Sequence, residues 1–303
     1  MTSIPPPGYD LTHEEPPAEP PAPPAAVAPR PTGRDAWPPW SAWVALLTGL
    51  GLAVFGGAAI AIIAASGGAS LEEPPPGVTL GGTFLQDFAM IAAAVLFAHI
   101  GGRPAAADFG LSRPQIGYAV RLALGVWLSF FAFSWVWSVT LGLEEKQTLP
   151  DDLGINGSDL NLALVIVLIT IMAPLGEEIL FRGYFFGALR NWKGYLPAAI
   201  ATGIVFGAIH IGSAPVAFTV PLAFFGFGLC VLYQRTGSLY PCIGLHACNN
   251  SVALGVLQEW DAGNIFALMA GALAGSLACA WLLGRALDGR ALRGRGPLPQ
   301  PAG

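Results

Sequence analysis

Residues 173–185, APLGEEILFRGYF, set two glutamates and an arginine inside a run that is otherwise apolar. A charge turned toward lipid at the middle of a span costs roughly 3 kcal/mol on insertion scales, so Glu177, Glu178 and Arg182 face the protein interior. Glu178 and Arg182 stand four positions apart and share a helical face, where they can pair. Glu177 points about a quarter turn away and needs another partner. One interior carboxylate is thereby left for chemistry.

The rest of the chain explains why such a run exists. Of 303 residues 54% are hydrophobic and only 11% charged, and the mean hydropathy is +0.59. That is too apolar for a water-soluble domain, which needs charge to coat its surface. The expected fold class is all-α: a polytopic membrane helix bundle of about eight transmembrane helices, preceded by a disordered Pro-rich tail. Apolar segments long enough to cross about 30 Å of hydrocarbon fall at 40–66, 82–101, 115–141, 160–190, 194–213, 215–234, 238–258 and 263–286. The fourth is longer than a span requires and contains Pro174, where the missing N–H predicts a kink.

Charge sets the expected orientation, because Lys and Arg concentrate in cytoplasmic loops. With the N-terminus inside, Arg30, Arg34, Arg103, Arg113, Arg190, Lys193, Arg235, Arg285, Arg290, Arg293 and Arg295 share one side. Glu72, Glu73, Asp151, Asp152, Glu259 and Asp261 take the other, with Lys146 as its basic residue. Both termini are therefore expected in the cytoplasm, and the cell membrane is the expected location. The net charge of -5 offers no basic patch for a nucleic acid.

Composition also divides the chain. Residues 1–37 form a Pro-rich cytoplasmic tail with too few large apolar side chains to offset the entropy of ordering it. It lacks the charged and apolar regions of a cleaved signal peptide. Residues 38–158 hold the N-terminal transmembrane helices, 159–258 a catalytic core, and 259–303 the last helix with a basic cytoplasmic end. The glycines of the first helix read as close helix packing. Cys230, Cys242, Cys248 and Cys279 lack metal-ligand spacing and read as small core residues. Trp37, Trp40, Trp43, Trp192 and Trp260 lie near helix ends, as an interfacial belt would. Gln86 and Asp87 are expected at the solvated outer start of the second helix, and His99 at an interface.

Two further polar pairs follow the glutamates. TGIVFGAIHI carries Phe206 and His210, and LYPCIGLHACNNS carries His246 and Asn250, each at a spacing of four. At about 1.5 Å per residue from the cytoplasmic turns, Glu177 and Asn250 lie roughly 20 Å deep, His210 roughly 23 Å and His246 roughly 14 Å. All four can share one polar layer. Glu-Glu-x-x-x-Arg, Phe-x-x-x-His and His-x-x-x-Asn, in this order on separate helices, resemble the motifs of the CPBP (Abi) intramembrane protease family. That family includes the type II CAAX prenyl endopeptidases and bacteriocin-processing and immunity proteins; the resemblance covers about residues 160–256.

Peptide hydrolysis needs an activated water, a stabilised oxyanion and a proton for the leaving amine. The residues supply candidates for each. Glu177 is the expected base, His210 holds and shares the water's proton, and His246 and Asn250 donate to the oxyanion; the resemblance implies the same division. Glu178 and Arg182 are expected to form a supporting ion pair, with Phe206 packed beside His210. No cofactor is favoured. The alternative is a zinc ion on His210, His246 and Glu177, for which the sequence lacks the His-Glu-x-x-His pattern. The implied partners are the bilayer and a membrane-associated protein or peptide substrate, CAAX-type prenylated proteins among them. Two rival functions are a proton-coupled transporter, disfavoured because no two halves match, and a non-catalytic immunity or binding protein on the same scaffold.

Overall fold

The structure is a computed structural model and describes residues 33–143, 149–212 and 214–293. Most of the proline-rich tail, His13, Lys146 and Arg295 lie outside the described residues. Among the described residues the protein is all helical, with a single isolated bridge between Ile211 and Ala214. Eight long helices follow one another: α1 Pro39–Ser66, α2 Pro76–Ala98, α3 Ile116–Leu141, α4 Asp159–Lys193, α5 Tyr195–Ala208, α6 Thr219–Thr236, α7 Tyr240–Leu257 and α8 Ala262–Arg293. Six of them, all but α5 and α7, are long and apolar enough to cross a membrane. α5 has 14 residues, about 21 Å of rise, and α7 exchanges apolar surface for His246, Asn249, Asn250 and Ser251.

Among the boundaries that differ from the sequence expectation, two bear on the site. α2 begins at Pro76 rather than at residue 82, because a proline in the first turn gives up an N–H that has no helical partner there and brings its φ already set. Asp87 therefore stands three turns inside the helix, fully buried, and not on a solvated edge. α5 ends at Ala208 rather than at 213. The sequence after it, IHIGSAP, brings Gly212 at φ +101° and then Pro215, and neither continues a helix.

α4 is the axis of the bundle, and its interior is almost wholly buried. It does not break at Pro174. Instead the helix widens to i→i+5 bonding over Leu168–Met172 and again over Ile179–Phe185, with an ordinary α stretch, Ala173–Glu178, between them. In the first wide stretch the Ala173 N–H reaches Leu168 O. The next such bond would join residue 174 to Ile169 O, and Pro174 has no N–H to give. Asn250 Nδ2 from α7 supplies that donor, 3.0 Å from Ile169 O. A carbonyl orphaned by proline is thus satisfied from a neighbouring helix.

The glycine-rich α1 packs along α2: a Cβ on Gly49 would meet Met90 Cα at 3.5 Å. The core gathers around α4, with Phe181, Tyr184, Phe185 and Phe186 set against Phe206, Phe225 and Tyr233. One end of the bundle is tied by polar contacts. Arg34 reaches Tyr233 Oη and, through its backbone N, Asp108; Asn191 donates to Arg34 O; Arg190 donates to Gln234; and the Ala106 N–H donates to Asp288. The segments before α1, between α2 and α3, at the end of α4, between α6 and α7 and in α8 therefore meet at one end, as alternate threading requires.

Trp37 departs from the expected belt. It is buried, donates from Nε1 to Ala98 O at 3.1 Å, and packs on Tyr184 and Phe109. Residues 33–37, assigned by composition to the tail, are part of the packed bundle. A short stretch rich in glycine and charge hides the one indole that anchors it. Trp40 and Trp192 are exposed, as belt residues are.

Candidate active site

Arg182 is fully buried, with both terminal nitrogens bonded and one face of the guanidinium covered. Its Nη1 pairs with Glu178 Oε1 at 2.8 Å, its Nη2 donates to Gly226 O at 3.0 Å, and its guanidinium lies 4.3 Å from the centre of the Phe206 ring. Gly226 permits this: a Cβ there would come within 2.9 Å of Phe206 Cβ. α6 can thus approach α5 closely enough to present its carbonyl. A buried charge so paired, hydrogen-bonded and covered avoids the cost of an uncompensated one.

The pair has a third member. His246 Nδ1 lies 2.8 Å from the same Glu178 Oε1, which makes Nδ1 the protonated nitrogen of the ring and leaves Nε2 open. Nε2 stands 3.8 Å from Glu177 Oε2. Glu178 consequently orients His246, and His246 presents its other nitrogen to Glu177. The sequence reading gave Glu178 a purely local role on α4; its bond to His246 spans 68 positions, and no spacing rule reaches that far.

Phe206 is buried between two imidazoles, its ring centre 5.0 Å from that of His210 and 5.8 Å from that of His246. His210 lies just past the end of α5, where its Nδ1 bonds Phe206 O at 2.7 Å and its own N–H bonds Gly207 O. A short helix that stops inside the bundle places this histidine on a turn. His246 packs on Phe225 as well, at 5.6 Å. The buried set Glu177, Glu178, Arg182, Phe206 and His246 is therefore one contiguous cluster, with half-buried His210 against its aromatic wall.

Asn250 is the site candidate that the structure places differently. Expected to share a direction with His246, it spends one amide N–H on Ile169 O. Its neighbour Asn249, which the spacing of four passes over, is buried and accepts from Trp127 Nε1 at 3.1 Å. That bond fastens α3 to α7.

Sequence reasoning missed Asp87. Neither of its carboxyl oxygens has a protein hydrogen-bond partner, and the same holds for Oε2 of Glu177. The signal was present: a carboxylate in an apolar segment whose helix starts at a proline. A zinc ion does not fit the donors as they stand. Among the described residues no three His, Cys, Asp or Glu side chains are grouped to hold one ion.

Residues 159–252 match the family model described as type II CAAX prenyl endopeptidase Rce1-like. A Bacillus subtilis (strain 168) protein, "Putative membrane peptidase YdiL", is 31% identical over 88 residues, which are 29% of this chain and 35% of that protein. The match thus spans about a third of the relative's length. No solved structure matches the chain. The matched segment begins with α4 and ends inside α7, the helices that carry both glutamates, Arg182, both histidines and Asn250, and over residues 159–252 the chain is similar to type II CAAX prenyl endopeptidase Rce1-like proteins.

Proposed function

We propose that this integral membrane protein is an intramembrane endopeptidase in which Glu177 activates a water for attack on a peptide bond of a membrane-associated substrate, with CAAX-type prenylated proteins as the favoured class. The observation that carries the reading is the line Arg182–Glu178–His246–Glu177. A buried ion pair orients an imidazole whose free nitrogen faces a second carboxylate at 3.8 Å.

A water held between that carboxylate and Nε2 lies within hydrogen-bond reach of both, as a general base requires. Glu177 takes its proton as oxygen attacks the carbonyl carbon. His246, with Glu178 on Nδ1, is held in the tautomer whose bare Nε2 accepts a hydrogen bond from the water; once Nε2 has taken on the proton that Glu177 abstracted, it can pass that proton to the leaving amine. His210 flanks the same wall through Phe206 and shares in proton transfer. Asn250 keeps one amide hydrogen for the oxyanion while the other holds α4. No step passes through a metal.

The test is cleavage of a quenched-fluorescent peptide ending in a prenylated CAAX sequence by protein reconstituted in lipid. Glu177→Gln should lower kcat by about 10²- to 10⁴-fold with the fold intact, and a zinc chelator should leave the wild type unchanged. Cleavage that survives Glu177→Gln would exclude the glutamate base; cleavage lost on chelation and restored by zinc would exclude the metal-free route.

A further inference from the structure

Asp87 is fully buried in the middle of α2, and neither carboxyl oxygen meets a protein donor. A buried polar group left so costs about 1–3 kcal/mol, and more when it is charged, so its retention in an apolar helix needs a cause. Its surroundings supply one. α2 crosses α4 so closely at Gly176 that a Cβ there would stand 3.0 Å from Asp87 O and 3.3 Å from Asp87 Cβ. The next residue on α4 is Glu177, whose Oε2 is likewise buried and without a hydrogen-bond partner.

Competing partners are absent from the other sides. α1, packed along α2, has no ionisable residue between 39 and 66. In the buried middle of α4 and on α7 the other charged groups, Glu178, Arg182 and His246, are committed to one another, and Asp159, Arg190 and Lys193 stand at the ends of α4. Two neighbouring carboxyl groups, with both oxygens of one and Oε2 of the other unpartnered, satisfy each other by sharing one proton, since like charges in one dry site cannot both be ionised cheaply.

We propose that Asp87 is a positioning residue for Glu177, holding one proton in common with Oε2 so that the carboxylate is fixed beside Nε2 of His246. This rests on the reading of Glu177 as the base. Asp87 acts through Glu177 and need not touch substrate. In the geometry proposed, the O–H of Asp87 donates to Oε2, and no bond of the substrate involves it.

Two readouts test the pair and its role separately. The infrared difference spectrum of wild type against Asp87→Asn should show a protonated-carboxyl C=O band lost in the variant, and Glu177→Gln should shift that band. Its absence, or its indifference to Glu177→Gln, overturns the shared proton whatever the activity. In the peptide-cleavage assay Asp87→Leu, shown folded by thermal unfolding, should lose about 10²-fold in kcat with KM unchanged, the scale of a misplaced catalytic group. Asp87→Asn should recover most of that loss, because its amide N–H donates in the same place. Wild-type kcat in Asp87→Leu, a change confined to KM, or no recovery in Asp87→Asn overturns the positioning role. Should the band behave as expected while hydrolysis ignores Glu177→Gln, the shared proton stands, and the base assignment falls with the positioning role that depends on it.

Discussion

At the residue scale, the polar cluster stands on Arg182. It is the only side chain there that answers a buried carboxylate, a backbone carbonyl and an aromatic face at once among the described residues. Lysine could supply the charge but not the planar fork. Arg182→Met leaves Glu178 as an uncompensated buried charge, and the expected loss is about 3–5 kcal/mol of stability. Thermal or denaturant unfolding in detergent measures it; a variant as stable as wild type would show that Glu178 is held by His246 alone. The same unit sets Glu178 apart from Glu177, the proposed base: Glu178 gives Oε1 to two donors, whereas Glu177 Oε2 meets no hydrogen-bond donor.

At the element scale, α4 gains its shape from a conflict between a proline and a span. The two wide stretches let the helix pass Pro174 without breaking, and the orphaned Ile169 carbonyl is met by Asn250. Asn250→Ala therefore has a structural cost of about 1–3 kcal/mol apart from any catalytic one. Asn250→Gly or →Leu, matched in unfolding to Asn250→Ala but compared in kcat, separates the two contributions. Gly176 is the element-level counterpart of Asp87. A methyl there meets the α2 backbone, which cannot yield as a flexible side chain would, so Gly176→Ala should cost about 1–3 kcal/mol and lower kcat by displacing Glu177. Wild-type unfolding in Gly176→Ala would show that the crossing has slack.

At the scale of the whole molecule, the bundle is tied at one end by Arg34, Asp108, Arg190, Asn191, Tyr233 and Asp288, and Glu72, Glu73, Asp151, Asp152, Glu259 and Asp261 lie in the loops that alternate threading puts at the other end. The excess of Lys and Arg in the tied end predicts that end to be cytoplasmic. On intact cells, a cysteine placed at Glu72 should react with an impermeant thiol reagent, and one placed at Lys193 should react only after permeabilisation. The reverse pattern would invert the topology and with it the side from which substrate reaches Glu177. Access to that site is narrow, since Glu177 and His246 are 7% and 4% exposed.

The sequence by itself determined the class and the cast. Its apolar periods gave the helices within a few residues, because a span must be about 20 apolar residues long in any context. Its costly charges marked Glu177, Glu178 and Arg182 as interior, because hydrocarbon penalises them wherever the helix packs. The pairing of Glu178 with Arg182 was legible too, being a contact between positions four apart. What only the tertiary structure decided are the contacts between helices distant in sequence: His246 on Glu178, Asn250 on a carbonyl freed in α4, Asn249 on Trp127, and Asp87 against Gly176. Helical spacing assigns a residue to a face, but the neighbour that the face meets is fixed by how eight helices fill one volume, and that information is spread over the whole chain.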